Sequence, residues 1–387
     1  MIQTGKIIND PVHGFITIPR GLILNLTQHP YFQRLKDIRQ LGLTNLVYPG
    51  ATHTRLSHAI GAMHLMNEAL LSLSSKGFHI SKEEREASMA AILLHDIGHG
   101  PFSHALEGVI AKDIHHETLS LEIMKILNRE SGGALDMAIA IFTGEYHKKF
   151  LHQLVSSQLD VDRLDYLRRD SFFSGVAEGM IGQERIIKMM SVSDNEIAVE
   201  QKGIYSVEKF LISRRLMYWQ VYYHKTVIAA EQLLIEIIER ARSLVLNGLN
   251  LPGHPSLIGF LKHEGSLRPT IDTVEEYLKI DDSDLLSAIK MWHNSPDEKL
   301  SAYSKMLTYR NLPKVELADT PFGEEFFKHP GFIRSGEIQN KGYDSVSEEI
   351  NIIDKNGMVH DIYDISDMLS AKAFSQITKK YFLCTTK

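Results

Sequence analysis

One helix signal governs how this chain can fold. Ser81-Lys82-Glu83-Glu84 is a capping-box pattern, in which the serine side chain bonds the third helical N–H and the glutamate reaches back to the serine's own backbone N–H. The segment it opens becomes apolar from Ala87 to Leu94 and runs directly into His95-Asp96. Gly98, Gly100 and Pro101 then break it. An imidazole and a carboxylate adjacent on the backbone can both reach one divalent metal, and this N/O donor pair suits Mn, Fe, Zn or Mg. His99, His104, His115 and His116 follow, so five of the nineteen histidines lie between His95 and His116. That density favours a reactive or metal-holding cluster over scattered, separately satisfied rings.

The rest of the chain is read around this helix. Tyr31–Leu41 has Phe32, Leu35, Ile38 and Leu41 on one helical stripe, and Thr54 to about Leu73 is a second helix. Further helical patterns cover His116–Arg129, His147–Ser156 and Asp160–Asp170, with Ser171–Gly182 expected as a loop. Ile197–Tyr205 reads as a short hairpin. Ser206 to about Leu246 reads as two helices or one bent one. Asn247–Gly253 is a break and the expected boundary between a catalytic domain (1–246) and a C-terminal helical and α+β part (247–387). Shorter helices follow at Pro255–His263, Thr273–Leu278, Asp281–Trp292 and Asp297–Leu307. Near the end, alternation about Asn356-Gly357 predicts a hairpin. The fold class is therefore mainly α, a helical bundle with short β-hairpins and a small α+β C-terminal appendage.

Composition narrows the function. The 387 residues carry a net charge of −6, so no global basic field recruits nucleic acid. The single cysteine, Cys384, rules out an internal disulfide and a cysteine-based zinc site. The N-terminus lacks a signal-peptide pattern and no apolar run is long enough to span a bilayer, so a soluble cytoplasmic protein is expected.

A His-Asp pair needs further ligands to close a metal site. His58 is one candidate. The other lies in Asp160–Asp170, which carries Asp160, Asp162, Asp165 and Asp170, with Asp162, Asp165 and Tyr166 sharing a helical face. A charged helix face is usually only solvated, and the neighbouring His-Asp pair is what gives this one weight.

The ordered set His58 … His95-Asp96 … Asp162 resembles the HD phosphohydrolase superfamily. The segments Lys6–Gly14, Phe32–Leu35, Gln40–Gly42, Pro49–His53, His95–His104, Asp160–Tyr166, Tyr222–Lys225 and Tyr309–Leu312 resemble, more closely, the SAM-and-HD-domain dNTP triphosphohydrolases. The likeness is strong from Lys6 to Lys225 and thins towards Lys314. It begins at the catalytic region, so the SAM domain of the animal members is expected to be missing. The resemblance implies an all-helical HD fold with His58, His95, Asp96 and Asp162 as ligands of a divalent metal (Mn, Fe, Mg, Zn or Co). It implies that His104 is the general acid, with Glu107 holding its ring where the family usually has aspartate, and that His99, His116 and Glu117 line the phosphate and water side. Arg55, Arg163 and Arg214 would clamp the triphosphate, arginine replacing the family's common lysine at 163. Gln40 and Asp170 would bond the 3′-hydroxyl. Tyr166 and Tyr222 would pack the sugar, Tyr166 leaving no room for a 2′-hydroxyl.

The same resemblance implies a homo-oligomer, a tetramer or dimer, with an activator nucleotide between subunits. Lys6, Asn9, Gln33, Val47, His224, Lys225, Arg310 and Lys314 match activator positions. Gln28 replaces an aspartate that reads guanine, and Lys36 replaces an arginine; both weaken the match to GTP. The expected reaction converts dNTP and water to deoxynucleoside and triphosphate. The alternatives are another HD-type nucleotidase or phosphodiesterase, or a regulatory nucleotide- or nucleic-acid-binding protein. The absence of a Gly-Tyr-Pro extension counts against the cyclic-dinucleotide branch.

Overall fold

A computed structural model describes residues 5–328, 331–340, 349–368 and 378–386, the side chains of His104 and Asn340 aside. The capping box is formed as expected. Ser81 Oγ accepts from Glu84 N at 3.0 Å while the Glu84 carboxylate accepts from Ser81 N at 2.8 Å. The resulting helix, Lys82–Leu94, has every residue from Ala87 to Leu94 buried. It packs along the 21-residue helix Arg55–Ser75, which in turn lies against Val161–Ser174. These three helices hold the expected metal ligands, and His116–Glu130 closes the group beside them. Burial of this apolar set is the main stabilising term, on the order of 25 cal/mol per Å² removed from water.

After the π-helical turn Tyr218–Tyr222 the chain re-enters a long helix, Lys225–Leu246, against which Pro255–Lys262 and Glu298–Thr308 pack. Small sheets decorate this bundle. Lys6–Asp10 pairs antiparallel with Gly14–Ile18. Met190–Ser193 pairs with Glu196–Glu200, and the predicted Asn356-Gly357 hairpin (Asn351–Ile353 with Val359–Asp361) joins that pair in parallel, giving four strands. Lys314–Ala318, Thr378–Thr385 and Phe332–Asn340 make a third sheet. The molecule is mainly α, with short hairpins and an α+β C-terminal part.

Three expectations are corrected. Tyr31–Leu41 is not one helix: a single turn, Pro30–Gln33, tightens into the 3-10 turn Arg34–Asp37, and Ile38 is extended. The cause is Arg34, whose buried guanidinium is drawn inward to Ile280 O and His99 O, while Arg39 bridges Thr54. The Ser171–Gly182 segment is helical to Ser174 and has a further 3-10 turn at Ala177–Gly179. The Ile197–Tyr205 hairpin is displaced towards the N-terminus. Its turn is Asp194-Asn195, both at positive φ (48° and 66°), and Ile204 already begins a helix.

Candidate metal centre and substrate cavity

Four expected ligands come from three helix ends. His58 stands on the first turn of Arg55–Ser75. His95 caps the C-terminus of Lys82–Leu94 and Asp96 follows it. Asp162 lies in the first turn of Val161–Ser174, where the helix N-terminus favours a carboxylate. That helix starts where it does because Asp160 accepts from Arg163 N at 2.7 Å. His58 Nε2 lies 3.0 Å from Asp162 Oδ1 and 3.8 Å from Asp96 Oδ2. His95 Nε2 lies 3.4 Å from Asp162 Oδ1 and 3.3 Å from Asp96 Oδ1.

The donor set fits a metal. Both rings have Nδ1 committed, His58 to Asp165 Oδ2 at 2.8 Å and His95 to Ile92 O at 2.6 Å. Each Nδ1 therefore carries a proton, and each Nε2, facing the carboxylates, is the atom that can hold either a second proton or a cation. Both Nε2 atoms are buried with no aligned hydrogen bond among the described residues, which is what a ligand atom awaiting a cation looks like. Electrostatics agrees. Burial opposes protonation of His58, but Asp162 and Asp165 outweigh it and push the ring up to about 10. Burial likewise opposes ionisation of Asp162, and His58 and His95 hold it well below the usual carboxylate range. A cation would take over the role of those protons. Asp96 also belongs to a second group, with His99 and His116, whose ligand atoms lie within 4.8 Å of one another.

Several first neighbours were legible in the sequence and some play a different part. Arg55, expected as a phosphate clamp, donates to Asp96 Oδ2 at 2.5 Å and to Ser103 Oγ at 2.9 Å. His99 Nε2 lies 3.2 Å from Asp96 Oδ1 and its ring stacks on His116 at 3.8 Å between centroids. Burial, with Arg55 beside it, pushes the His99 pKa well down, so this ring is neutral. Glu107 was expected on the helical face of His104. The helix ends at Leu106, however, and Glu107 turns to extended backbone, where its Oε1 accepts from both the backbone N and Nδ1 of His116 at 3.0 and 2.6 Å. That pairing holds the Glu107 carboxylate down at about 2. The side chain of His104, the expected general acid, lies outside the described residues. Glu117 is exposed on the first turn of its helix.

A cavity of about 510 Å³ opens on this centre, lined by Arg55, Asp96, His99, His116 and Asp162 at one end and by Gln40, Tyr166, Asp170 and Tyr222. Gln40 Oε1 is buried and has no hydrogen bond among the described residues. Asp170 is fixed from both sides, by His53 Nε2 at 2.7 Å and by the Tyr222 hydroxyl at 2.8 Å. The Tyr166 and Tyr222 rings meet edge to face at 6.4 Å. Arg163 and Arg214 are not among the lining residues; Arg163 pairs with Asp160 and Arg214 donates to Gln158 Oε1 at 3.1 Å.

Sequence reasoning missed two things here. Glu231, from the long Lys225–Leu246 helix, also lines the cavity, and burial alone pushes its carboxyl up to about 7. The loop carrying His99 is clamped from the C-terminal half. Asp282 accepts from Phe102 N at 2.9 Å and from Arg39 N at 3.0 Å, and Phe102 sits in left-handed backbone at φ 48°. Gly98 and Gly100 permit this packing, since a Cβ would lie 2.3 Å from His116 O at the first and 1.9 Å from the Tyr277 hydroxyl at the second. Only the glycines were a signal in the sequence.

The positions matched to an activator site are spread over the surface. Lys6, Asn9, Gln28 and Lys36 are exposed, and Gln33 donates to Thr27 O at 2.6 Å. Arg310 donates to Leu46 O at 2.9 Å beside Val47, while His224 caps the Lys225–Leu246 helix and meets the Tyr48 ring edge-on at 6.1 Å. Lys314 pairs with Glu316 at 2.7 Å.

A helical domain that presents His58, His95-Asp96 and Asp162 to one point defines a class: the chain belongs to the HD-domain phosphohydrolases, related to SAMHD1. The HD domain matches residues 55–170 and an HD associated region matches 181–246. Uncharacterized protein YwfO of Bacillus subtilis is 34% identical over 79% of this chain and 71% of its own length. The deoxynucleoside triphosphate triphosphohydrolase SAMHD1 homolog of Dictyostelium discoideum is 28% identical over 81% of this chain, which spans 60% of that protein. A phosphohydrolase of Bacteroides thetaiotaomicron has the same fold, with a TM-score of 0.95 and 48% identity over 99% of this chain and 100% of that one. Metal-dependent phosphohydrolase chemistry is thus the activity class. Among the described residues, no helix is long and apolar enough to cross a membrane.

Proposed function

We propose that this protein is a metal-dependent dNTP triphosphohydrolase, releasing deoxynucleoside and intact inorganic triphosphate. The observation that carries the reading is the single cavity joining the His-Asp cluster to Gln40, Tyr166, Asp170 and Tyr222, so that a phosphate and a sugar can be held at once. His58, His95, Asp96 and Asp162 would hold the divalent ion, which supplies an activated water and draws charge from the α-phosphorus. Around it, Arg55 keeps Asp96 ionised and presents a permanent cation at the phosphate end. His116, fixed by Glu107, and neutral His99 offer ring nitrogens to water and phosphate oxygens. His104 is proposed to protonate the leaving 5′-oxygen, as imidazole suits a proton transfer near neutral pH. Asp170, already aligned by His53 and Tyr222, and the open Oε1 of Gln40 would take the 3′-hydroxyl. Tyr166 beside them would exclude a 2′-hydroxyl. Arg163 and Arg214 would reach the outer phosphates by leaving their present partners. Asn247–Gly253 is proposed as the seam between a catalytic domain, 1–246, and the C-terminal part.

The names of the SAMHD1 relatives support the substrate class. A homo-oligomer, with an activator nucleotide held between subunits by Lys6, Asn9, Gln28, Gln33, Lys36, Val47, His224, Lys225, Arg310 and Lys314, is proposed on the same likeness. The test is a panel of dNTPs and NTPs with Mn, Mg, Fe and Co, products resolved by anion-exchange chromatography. Triphosphate and deoxynucleoside are expected, with GTP spared while dGTP is consumed. dNMP or dNDP as the main product would move the protein to another HD-type nucleotide hydrolase.

A further inference from the structure

Behind the metal centre, on the side away from the cavity, His58 is joined to the N-terminal hairpin by an unbroken line of buried groups. His58 Nδ1 meets Asp165 Oδ2 at 2.8 Å. The other oxygen, Asp165 Oδ1, receives His13 Nε2 at 2.6 Å and Arg169 Nη2 at 3.0 Å. Arg169 Nε reaches Asp165 Oδ2 at 2.8 Å, and its Nη1 continues to Asp10 Oδ2 at 2.8 Å. Asp165 and Arg169 are 0% exposed, and the His13 side chain is 2% exposed. Gly61, one turn beyond His58, makes room for this line: a Cβ there would lie 2.1 Å from Asp165 Oδ1 and 2.2 Å from Arg169 Nη2.

Asp10 and His13 belong to the turn that joins Lys6–Asp10 to Gly14–Ile18. Asp10 Oδ1 also accepts from Val12 N and His13 N, both at 2.9 Å, so one carboxylate folds the turn and anchors Arg169. Asp165 in turn has each oxygen filled by two donors. Buried ions held this way cannot reorient singly, because every alternative leaves a charge unpaired in a low dielectric. The ring of His58 therefore inherits its orientation from the hairpin turn.

We propose that His13 and Asp10 are positioning residues of the metal centre: the hairpin turn fixes the Asp165 carboxylate, and Asp165 fixes the His58 ring with Nε2 towards Asp162. This rests on His58 being a metal ligand and not on the identity of the substrate. Partners behind a metal-bound histidine set its tautomer and basicity, and losing one typically weakens metal binding by about 10–100-fold.

The test measures metal binding directly. Wild type, His13→Ala and His13→Gln are titrated with Mn²⁺ against a chromophoric chelator, and each is melted with and without the ion. His13→Ala is expected to bind Mn²⁺ about 10–100-fold more weakly and to show a smaller metal-induced rise in Tm. His13→Gln, whose amide N–H can still donate to Asp165, is expected to recover most of the affinity. A hairpin that only stabilises the fold would lower Tm equally with and without metal and leave Mn²⁺ affinity at the wild-type value in both variants; that result overturns the proposal. Should His13→Ala fail to fold, Asp10→Asn reads the same line from its far end through Arg169. Weakened Mn²⁺ binding there supports the proposal and wild-type affinity overturns it. Failure of Asp96→Ala to lose the metal would instead indict the ligand assignment beneath it.

Discussion

Single residues carry opposite charge logic at the two ends of the cavity. At the metal end, Asp96 is ionised because His95 and Arg55, with a hydrogen bond from neutral His99, outweigh its burial. Asp96→Ala removes a proposed ligand and leaves Arg55 buried with one partner fewer. Metal content after dialysis should fall to background and hydrolysis by at least about 10²-fold, at a stability cost of about 1–3 kcal/mol, with helical circular dichroism retained. Near-normal turnover would end the ligand assignment. At the other end Glu231 is a partly buried carboxyl on the cavity wall, with no hydrogen bond or ion pair among the described residues, raised from 4.5 to about 7 by desolvation. Between those values the unfolded chain has lost the proton while the folded protein still holds it. Folding then takes up a proton, and stability falls as pH rises through the window. Glu231→Gln cannot ionise, so the variant should gain up to ~3 kcal/mol over wild type at pH 8 and about 1 kcal/mol or less at pH 5. Urea melts at the two pH values measure this, and an equal difference at both would show that Glu231 is solvated. The His95-Asp96 pair was legible because its chemistry is local. Glu231 was not, since a lone glutamate in a long helix looks like any solvated one until the fold buries it.

At the scale of elements, what the sequence shows is what neighbours in the chain decide. The Ser81–Glu84 box fixed a helix start to the residue, and the helices beginning near Arg55, His116, Pro255 and Asp282 were found from period and caps. The N-terminal hairpin was missed. Its turn chemistry was visible at Asp10-Pro11, but pairing of Lys6–Asp10 with Gly14–Ile18 depends on Ile16 and Ile18 finding the core. The displaced second hairpin had a signal in Asp194-Asn195, two residues that tolerate the left-handed backbone a tight turn needs. Nothing local foretold that the loop after His95 would be held by residues about 180 positions on. Asp282→Ala tests that clamp. It strips a buried backbone N–H, that of Phe102, and a part-buried one, that of Arg39, of their acceptor, which should cost ~2–4 kcal/mol and release the left-handed Phe102. Thermal melts should show a large drop, and activity should fall more than stability explains. A loss below about 0.5 kcal/mol, the range of an ordinary surface substitution, would mean that water replaces Asp282 and the clamp is dispensable.

For the whole molecule the open issue is what an activator would meet. Three of the basic side chains matched to the family's activator site are already paired within the chain: Lys36 with Asp37, Lys314 with Glu316, and Arg310 with the Leu46 carbonyl. Exposed pairs of this kind contribute about 0–1 kcal/mol, so a polyphosphate can displace them, and phosphates need no particular base. Base selection is a different matter. Gln28, exposed at the end of the Leu22–Gln28 helix, offers one acceptor and one donor, where two acceptors are needed to take both the ring N–H and the amino group of guanine. Lys36 keeps a charge but not a planar fork. A site of this composition should accept a nucleotide for its phosphates and fail to single out GTP. The expected outcome is that dATP and dTTP hydrolysis proceeds without GTP, or is raised by a second dNTP as well as by GTP. The oligomer mass, followed by light scattering in the same solutions, should be indifferent to GTP alone. Raised salt should weaken any dNTP activation, since the contacts at stake are exposed charges. Activity that appears only with GTP, accompanied by GTP-driven assembly, would show that guanine is read here by some group other than a carboxylate at position 28.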